Sequence, residues 1–268
     1  MKLFKKILFI FMWVALSAGL VVSMAFVNKE HNSLLCKSLD IKINQDDDLF
    51  FLDKDDIEQF IKNRGDSIKG QPKSTINIPK IENALNQHED IAKAFVYMTI
   101  DNEMKVEVKQ RKPIIRIINL KDENYYLDDD GKMMPLSDKY TSNVLVANGN
   151  ISESFGQNYF RSVANIAKDS TLRAQSVLDE LYAMATYINK DEFWKAQIQQ
   201  IYINNDKEME LIPLVGNHKI IFGDTSKMEE KFNKLLTFYK QGLSYTGDWN
   251  KYSIINLKFK NQIVCTKK

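Results

Sequence analysis

From Ile7 to Val27 the chain carries no charged residue, and this run limits what the protein can be more than any other feature. At 1.5 Å per helical residue it reaches about 30 Å, enough to cross the hydrocarbon of a bilayer. Each Leu, Ile, Phe or Val in it favours insertion by about 0.3–0.6 kcal/mol. Lys2, Lys5 and Lys6 precede the run, whereas the far flank, Asn28 to His31, holds one Lys beside one Glu. The excess of cations on one side orients the N-terminus to the cytoplasm and everything after Val27 outside it. Ser23, Met24 and Ala25 form a small-x-small site that a signal peptidase could cut, but the apolar stretch is longer than a usual signal core, which favours an uncleaved anchor. A lipoprotein is disfavoured because Leu35 precedes Cys36 and the charged Lys29 and Glu30 interrupt the approach to it.

The remaining body of the 268-residue chain is ordinary for a folded protein, with 44% hydrophobic and 27% charged residues. It is long enough for two domains. Lys and Arg number 37 against 35 Asp and Glu, a balance unsuited to gripping a phosphate backbone, so no nucleic-acid partner is expected. Two cysteines and three histidines leave little material for a zinc site, and no cofactor is expected. Cys36 and Cys265 stand near opposite ends of the extracytoplasmic part and read as free thiols or small packed residues.

Leu39 to Ile43 alternates as a half-buried strand does, and Leu49 to Leu52 is a second short apolar run that leads into a helix start at Asp53. Asp53 and Asp56 make an acidic capping box, with Ile57, Phe60 and Ile61 as the apolar stripe and Gly65 as the stop. Pro79 opens a second helix with Ile81, Ala84, Leu85 and His88 on one face. Ala94, Val96, Met98 and Ile100 then alternate, Asp101 and Asn102 turn, and Met104, Val106 and Val108 alternate again as the return strand of a hairpin.

That element order, β-α-α-β-β, is the order of a POTRA module, and the phrase running from Ile91 to Arg116 resembles the end of the POTRA domain in the FtsQ/DivIB family of bacterial divisome proteins. Ile91, Ala94 and Val96 fit the family's V-x-x-A-x-V strand. Gln110, Arg111, Lys112 and Pro113 fit its E-R-x-P signature with Gln in place of Glu. Tyr126 to Gly131, YLDDDG, is similar to the v-D-x-x-G hairpin that opens the family's β domain. The resemblance implies a POTRA signature of Ala94, Val96, Arg111 and Pro113. It also implies an α+β chain with a single transmembrane helix, divided into a cytoplasmic tail (residues 1–6), the transmembrane helix (7–27), a linker (28–35), the POTRA domain (36–112) and the β domain (113–268).

In the second part Ile114 to Leu120, Tyr125 to Met134 and Val144 to Ala147 read as the start of a meander. A helix over Thr171 to Asn189 carries Ala174, Val177, Leu178, Leu181, Tyr182, Ala185 and Ile188 at helical spacing. Strands follow at Gln197 to Ile203, Glu208 to Leu214 and Lys219 to Phe222. Ser226 and Glu229 form a capping box for a helix that presents Met228, Phe232, Leu235, Leu236 and Tyr239 and stops at Gly242. A final pair of strands, Ser253 to Phe259 and Ile263 to Lys267, turns at Lys260 to Gln262. The whole reads as a mostly antiparallel sheet with two helices.

No G-x-S-x-G, G-x-G-x-x-G, Walker or H-E-x-x-H motif is present, and no serine is followed three places on by Lys as a penicillin-binding transpeptidase requires. Asp128, Asp129 and Asp130 lack the later ligands of a calcium loop and read as a solvated turn. Asp46 to Asp48 reads as a hydrated acidic cluster. His218, with Asp224 in reach along the chain, reads as a surface strand histidine. No enzyme is expected. The resemblance implies a scaffold that links early and late division proteins in the inner membrane at the septum. Its partners would be FtsB/DivIC-like and FtsL-like bitopic proteins, with FtsW and the septal penicillin-binding transpeptidase as further candidates. Other assignments are a POTRA-bearing chaperone or transport assembly factor, and an anchored envelope hydrolase.

The partner site implied by the resemblance lies on the terminal strands. Asn256, Leu257, Lys258 and Phe259 resemble the family's D-L-R-Y phrase, and Asn261, Gln262, Ile263, Val264 and Cys265 complete the stretch that in FtsQ receives a strand and adjoining helix from FtsB. A terminal strand offers unpaired N–H and C=O groups, Phe259 apolar contact, and Lys258 a charge for a carboxylate.

Overall fold

The computed structural model describes residues 2–44, 49–64, 68–155, 162–168, 171 and 175–268. The chain forms two compact units, Met1–Asp48 with Leu52–Gln110, and Leu49–Phe51 with Arg111–Lys268. It is an α+β protein with a three-stranded and a nine-stranded sheet.

The first unit begins with helix α1, Lys2–Ser33, 32 residues long. Two of its hydroxyls bond the helix's own backbone, Ser17 Oγ donating to the Val14 carbonyl at 2.9 Å and Ser23 Oγ to the Gly19 carbonyl at 2.8 Å. The helix thus meets its own polar groups without solvent. Its side chains are described without a break only over residues 11–23. Among the described residues no helix is long and apolar enough to cross a membrane. The expected span over Ile7 to Val27 includes positions whose side chains lie outside the described set.

β1 (Ser38–Asn44), α2 (Lys54–Asn63), α3 (Ile78–Asn86), β2 (Ile91–Met98) and β3 (Glu103–Gln110) follow in that order. β3 is central, parallel to β1 and antiparallel to β2, with Ala94 opposite Val108 and Val96 opposite Val106. The strands put Ile41, Ala94, Val96, Met104, Val106 and Val108 on one face, and Ile57, Ile61, Ile81 and Leu85 of the helices cover it. Asp53 and Asp56 close the capping box, each side chain accepting the other's amide at 2.9 Å. Asn77 caps α3 ahead of Pro79. Gly65, read as the stop of α2, lies outside the described residues. Phe60 and Met98 are only partly buried against the core. Ile100 does not continue the β2 face; it sits on the turn to β3 and is 91% exposed, because the strand ends at Met98. The outer edge of β2 is closed by α3: Asn86 Oδ1 accepts from the Ala94 amide (3.0 Å), and Glu82 Oε2 from the Val96 amide (2.9 Å).

The second unit is built on β4 (Pro113–Ile118), β5 (Asn124–Asp128), β6 (Met133–Met134), β7 (Leu145–Gly149), α4 (Val163–Lys168), α5 (Leu178–Lys190), α6 (Glu192–Gln197), β8 (Ile198–Ile203), β9 (Met209–Pro213), β10 (Lys219–Gly223), α7 (Met228–Phe238), β11 (Tyr252–Asn256) and β12 (Val264–Lys267). The strand order is β12-β11-β10-β9-β8-β7-β4-β5-β6. The meander stops at β6. β7 returns beside β4 in parallel, as do β8 beside β7 and β11 beside β10, while the other neighbours are antiparallel. Parallel returns need long crossings, which the segment after Met134, the helices before β8 and α7 supply. Gly149 ends β7 at φ 101°, where a Cβ would lie 2.2 Å from the Ile203 carbonyl oxygen.

Leu178, Leu181, Met184, Ala185 and Ile188 of α5 and Phe232 and Leu235 of α7 are buried in the same core as the strands. α5 starts at Leu178, later than the Thr171 start read from spacing, and Ala174 lies outside the described residues. Ser226 and Glu229 do not form a capping box: Lys227 precedes α7 at φ 51°, and Ser226 Oγ is drawn to Asp224 Oδ1 at 2.6 Å. Nor does the helix stop at Gly242, which lies inside a π-helical turn, Tyr239–Leu243. The Leu49 to Leu52 run makes no strand; Leu49 and Phe51 pack with Tyr126 and Met134 in the second unit.

Leu85 is fully buried, whereas Lys105 lies on the opposite face of β3 in an exposed pair with Asp40. Leu85→Ala is expected to cost about 2–5 kcal/mol, and Lys105→Ala under about 1 kcal/mol. Denaturant unfolding of the full chain, read through amide exchange in β2 and β3, checks this; equal small losses would refute the packing.

Candidate functional site

β12 is the last strand of the large sheet, and among the described residues nothing pairs with its outer edge. β11 ends at Asn256, short of the expected Phe259, because the chain turns there: Asn256 Oδ1 accepts from the Lys258 amide at 3.0 Å, and the Leu257 amide bonds the Ile221 carbonyl at 2.9 Å. Leu257 is therefore buried, while Phe259 stands 45% exposed. The turn back into β12 passes Asn261 at φ 59°. Ile263 and Cys265 face the core and are partly buried against it, and Val264 points out at 42% exposure.

The loop is held from the side by α7, whose Lys234 Nζ donates to the Phe259 carbonyl at 2.9 Å and to that of Leu257 at 3.4 Å. Between α7 and the loop lies a groove of about 840 Å³, walled by Asn233, Thr237 and Phe238 on the helix and by Asn261, Gln262 and Ile263 on the loop. Asn256, Lys258 and Phe259 lie at the base of the same loop. Lys258 is engaged within the chain, its Nζ 2.5 Å from Glu208 Oε1, and Gly223 at φ 78° leaves room for it, since a Cβ there would lie 3.1 Å from Lys258 Cγ. Lys231 is buried beneath, bonded to Asp224 Oδ1 at 2.8 Å and over the Phe222 ring. That bond and the Ser226 hydroxyl hold the Asp224 carboxyl below the ordinary range. Glu208, Lys234 and the α7 wall escaped sequence reasoning. Nothing local marks them, because the tertiary packing of α7 on β10 and β11 is what brings them to the loop.

His218 is not a surface residue. It is 4% exposed, its Nε2 2.9 Å from the Tyr239 hydroxyl, and its ring meets the Trp249 carbonyl. Asp224 is engaged elsewhere and makes no acid–base pair with it. Burial pushes the imidazole below its ordinary value and the Tyr239 hydroxyl up, so a neutral ring facing a protonated phenol is the stable state.

The motifs around Arg111 and Asp128 meet. Arg111 Nη1 lies 3.3 Å from Asp128 Oδ2, and Asp128 Oδ1 accepts from the amides of Lys132 (2.7 Å) and Asp130 (3.1 Å). Asp128 is 1% exposed, so the triple-Asp turn is solvated only at Asp129 and Asp130. Burial raises its carboxyl above the ordinary range against the pull of the Lys132 amide and Arg111. Pro113 pairs with Asp128 across β4 and β5. Ala94 and Val96 face the core of the first unit.

Cys36 and Cys265 are both free thiols. Among the described residues no group of three or more His, Cys, Asp or Glu could hold a metal ion, and the acidic run at 46–48 lies outside them. Residues 112–266 match the family described as FtsQ/DivIB, C-terminal related, and residues 34–109 match a POTRA-like domain. No curated protein matches the chain.

A His whose folded value is depressed leaves the unfolded chain binding the extra proton as pH falls below about 6.5. Stability is therefore expected to drop between pH 7.5 and 5, and less so in His218→Gln; parallel slopes in pH-dependent melts would contradict this. Asp128→Ala, which removes the carboxylate that the turn amides and Arg111 share, is expected to cost about 2–4 kcal/mol, and Asp128→Asn less, in denaturant unfolding.

Proposed function

The chain belongs to the FtsQ/DivIB family, and from that premise we propose that it holds an FtsB/DivIC-like and FtsL-like bitopic subcomplex at the division septum. The family is one of non-enzymatic, membrane-anchored division scaffolds, and its domains imply that role for this chain. In this reading residues 1–6 are cytoplasmic, residues 7–27 of α1 cross the inner membrane once, and residues 28–35 lead to an extracytoplasmic POTRA domain (36–112) and β domain (113–268). FtsW and the septal penicillin-binding transpeptidase would be reached through the complex. The chain itself catalyses nothing and needs no cofactor.

The observation that carries the partner site is the unpaired outer edge of β12 beside the α7 groove. An incoming strand can extend the sheet there through main-chain hydrogen bonds. A helix continuing from that strand can lie in the groove against Phe238 and Ile263, with Phe259 giving apolar contact at the loop. Lys258 already spends one of its three donors on Glu208, so a partner carboxylate competes with Glu208 for it or shares it. As a Lys it offers a point charge and not the two-pronged contact of an Arg.

Deleting residues 263–268 is expected to abolish binding of the FtsB/DivIC-like extracytoplasmic segment, and Phe259→Ala and Lys258→Glu to weaken it about tenfold. Glu208→Gln, which frees Lys258, is expected to tighten it about threefold. Calorimetric titration reads this, with circular dichroism as the folding control. If the truncation, Phe259→Ala and Lys258→Glu all fold and bind like the parent, the site lies elsewhere.

A further inference from the structure

Three segments are tied together where α1 leaves the first unit. The Cys36 amide donates to the Gln71 carbonyl (2.9 Å), the Gly70 amide to the Cys36 carbonyl (2.8 Å) and the Lys73 amide to the Leu34 carbonyl (3.0 Å). Leu35 faces Pro72 in an antiparallel bridge. The Lys37 amide bonds the Asn102 carbonyl at 2.9 Å, which draws in the β2–β3 turn. The exit from α1 is thus a paired strip of chain and not a loose tether.

This end presents aliphatic side chains to the outside. Leu34 is 43%, Leu35 55% and Ile100 91% exposed, and none of the three belongs to the core. Among the described residues of the three segments, Lys37 and Lys69 are exposed, with Asp101 as the acid of the β2–β3 turn. Only residues 34–37 separate α1 from β1. Residues 28–33, the last turns of α1, rise about 9 Å beyond the span of residues 7–27, close to the depth of a headgroup layer, which brings Leu34 and Leu35 to the lipid surface.

We propose that this end of the first unit rests on the anionic lipid surface of the bilayer that α1 enters. Leu35 and Ile100 sit in the interfacial layer, and Lys37 and Lys69 lie against lipid phosphates. The proposal rests on the membrane-anchor reading above. Exposed aliphatic groups flanked by lysines gain both apolar burial and charge attraction in an anionic headgroup region. The paired strip would then hold the domain at one height above the membrane.

The test uses the full chain in nanodiscs of phosphatidylglycerol and phosphatidylcholine. A nitroxide is placed at Ile100→Cys, at Glu89→Cys on the opposite end, or at Leu16→Cys within α1, each with Cys265→Ser; Cys36, 1% exposed, stays unlabelled. Collision with a water-soluble nickel complex is expected to be about tenfold lower at position 100 than at position 89. The difference should shrink in phosphatidylcholine alone and in the double variant Lys37→Glu, Lys69→Glu. If the Leu16 label lies in hydrocarbon while positions 100 and 89 are equally accessible, this inference fails and the anchor stands. If the Leu16 label is open to nickel, both fail. Protection of position 100 that persists in detergent without lipid means that a second copy or another protein covers it, which also overturns the proposal.

Discussion

Each sheet in this protein has an apolar face that helices cover, and taking that face out of water is the constraint from which the rest of the architecture follows; β5 and β6 are buried on their other face as well, by Leu49 and Phe51. In the first unit α2 and α3 cover the strands with Ile57, Ile61, Ile81 and Leu85. In the second, α5 and α7 do so with residues such as Leu181, Met184, Phe232 and Leu235. At about 25 cal/mol per Å² of buried apolar surface, these contacts outweigh any single ion pair on the surface. The helices lie where that face needs them, and the connections that carry them there set β8 parallel to β7 and β11 parallel to β10.

Covering a face does not close an edge, and the two units treat their edges differently. β2 is sealed by side chains of α3, with Asn86 and Glu82 taking the amides of Ala94 and Val96. β12 has no such cover among the described residues. An open strand is a hazard in a protein that has no use for it. Here it adjoins a groove, an exposed Phe259 and a lysine already set opposite a carboxylate. That combination suits the scaffold role of the family better than it suits catalysis.

Buried polar groups in the second unit serve geometry. Asp128 organises a hairpin turn through two amides and Arg111, and His218 with Tyr239 supports the segment reaching Trp249. Buried Lys231 does the same at the start of α7, held by the exposed Asp224. Each is satisfied by partners within the chain, which is the condition for tolerating polar atoms in a low-dielectric interior.

Local pattern was enough to place the POTRA-like order of elements, the Asp53–Asp56 cap, most strands of the second unit and the family itself, because alternation, helical spacing and short signatures are properties of neighbouring residues. It was not enough to foresee that Ser226 prefers Asp224 to the helix end, that His218 is buried, or that β7 returns parallel to β4. Those outcomes depend on residues brought together from distant parts of the chain. The same holds at the candidate site: the terminal stretch from Asn256 to Cys265 could be named from its resemblance, but the groove wall on α7, the Lys234 hold on the loop and the Glu208 partner of Lys258 exist only once α7, β9 and β11 are packed. Elements and apolar faces are thus readable from neighbouring residues, whereas which edge stays open and which charges stand beside it follow from packing, since edge pairing and charge pairing are contacts between segments that no local spacing encodes.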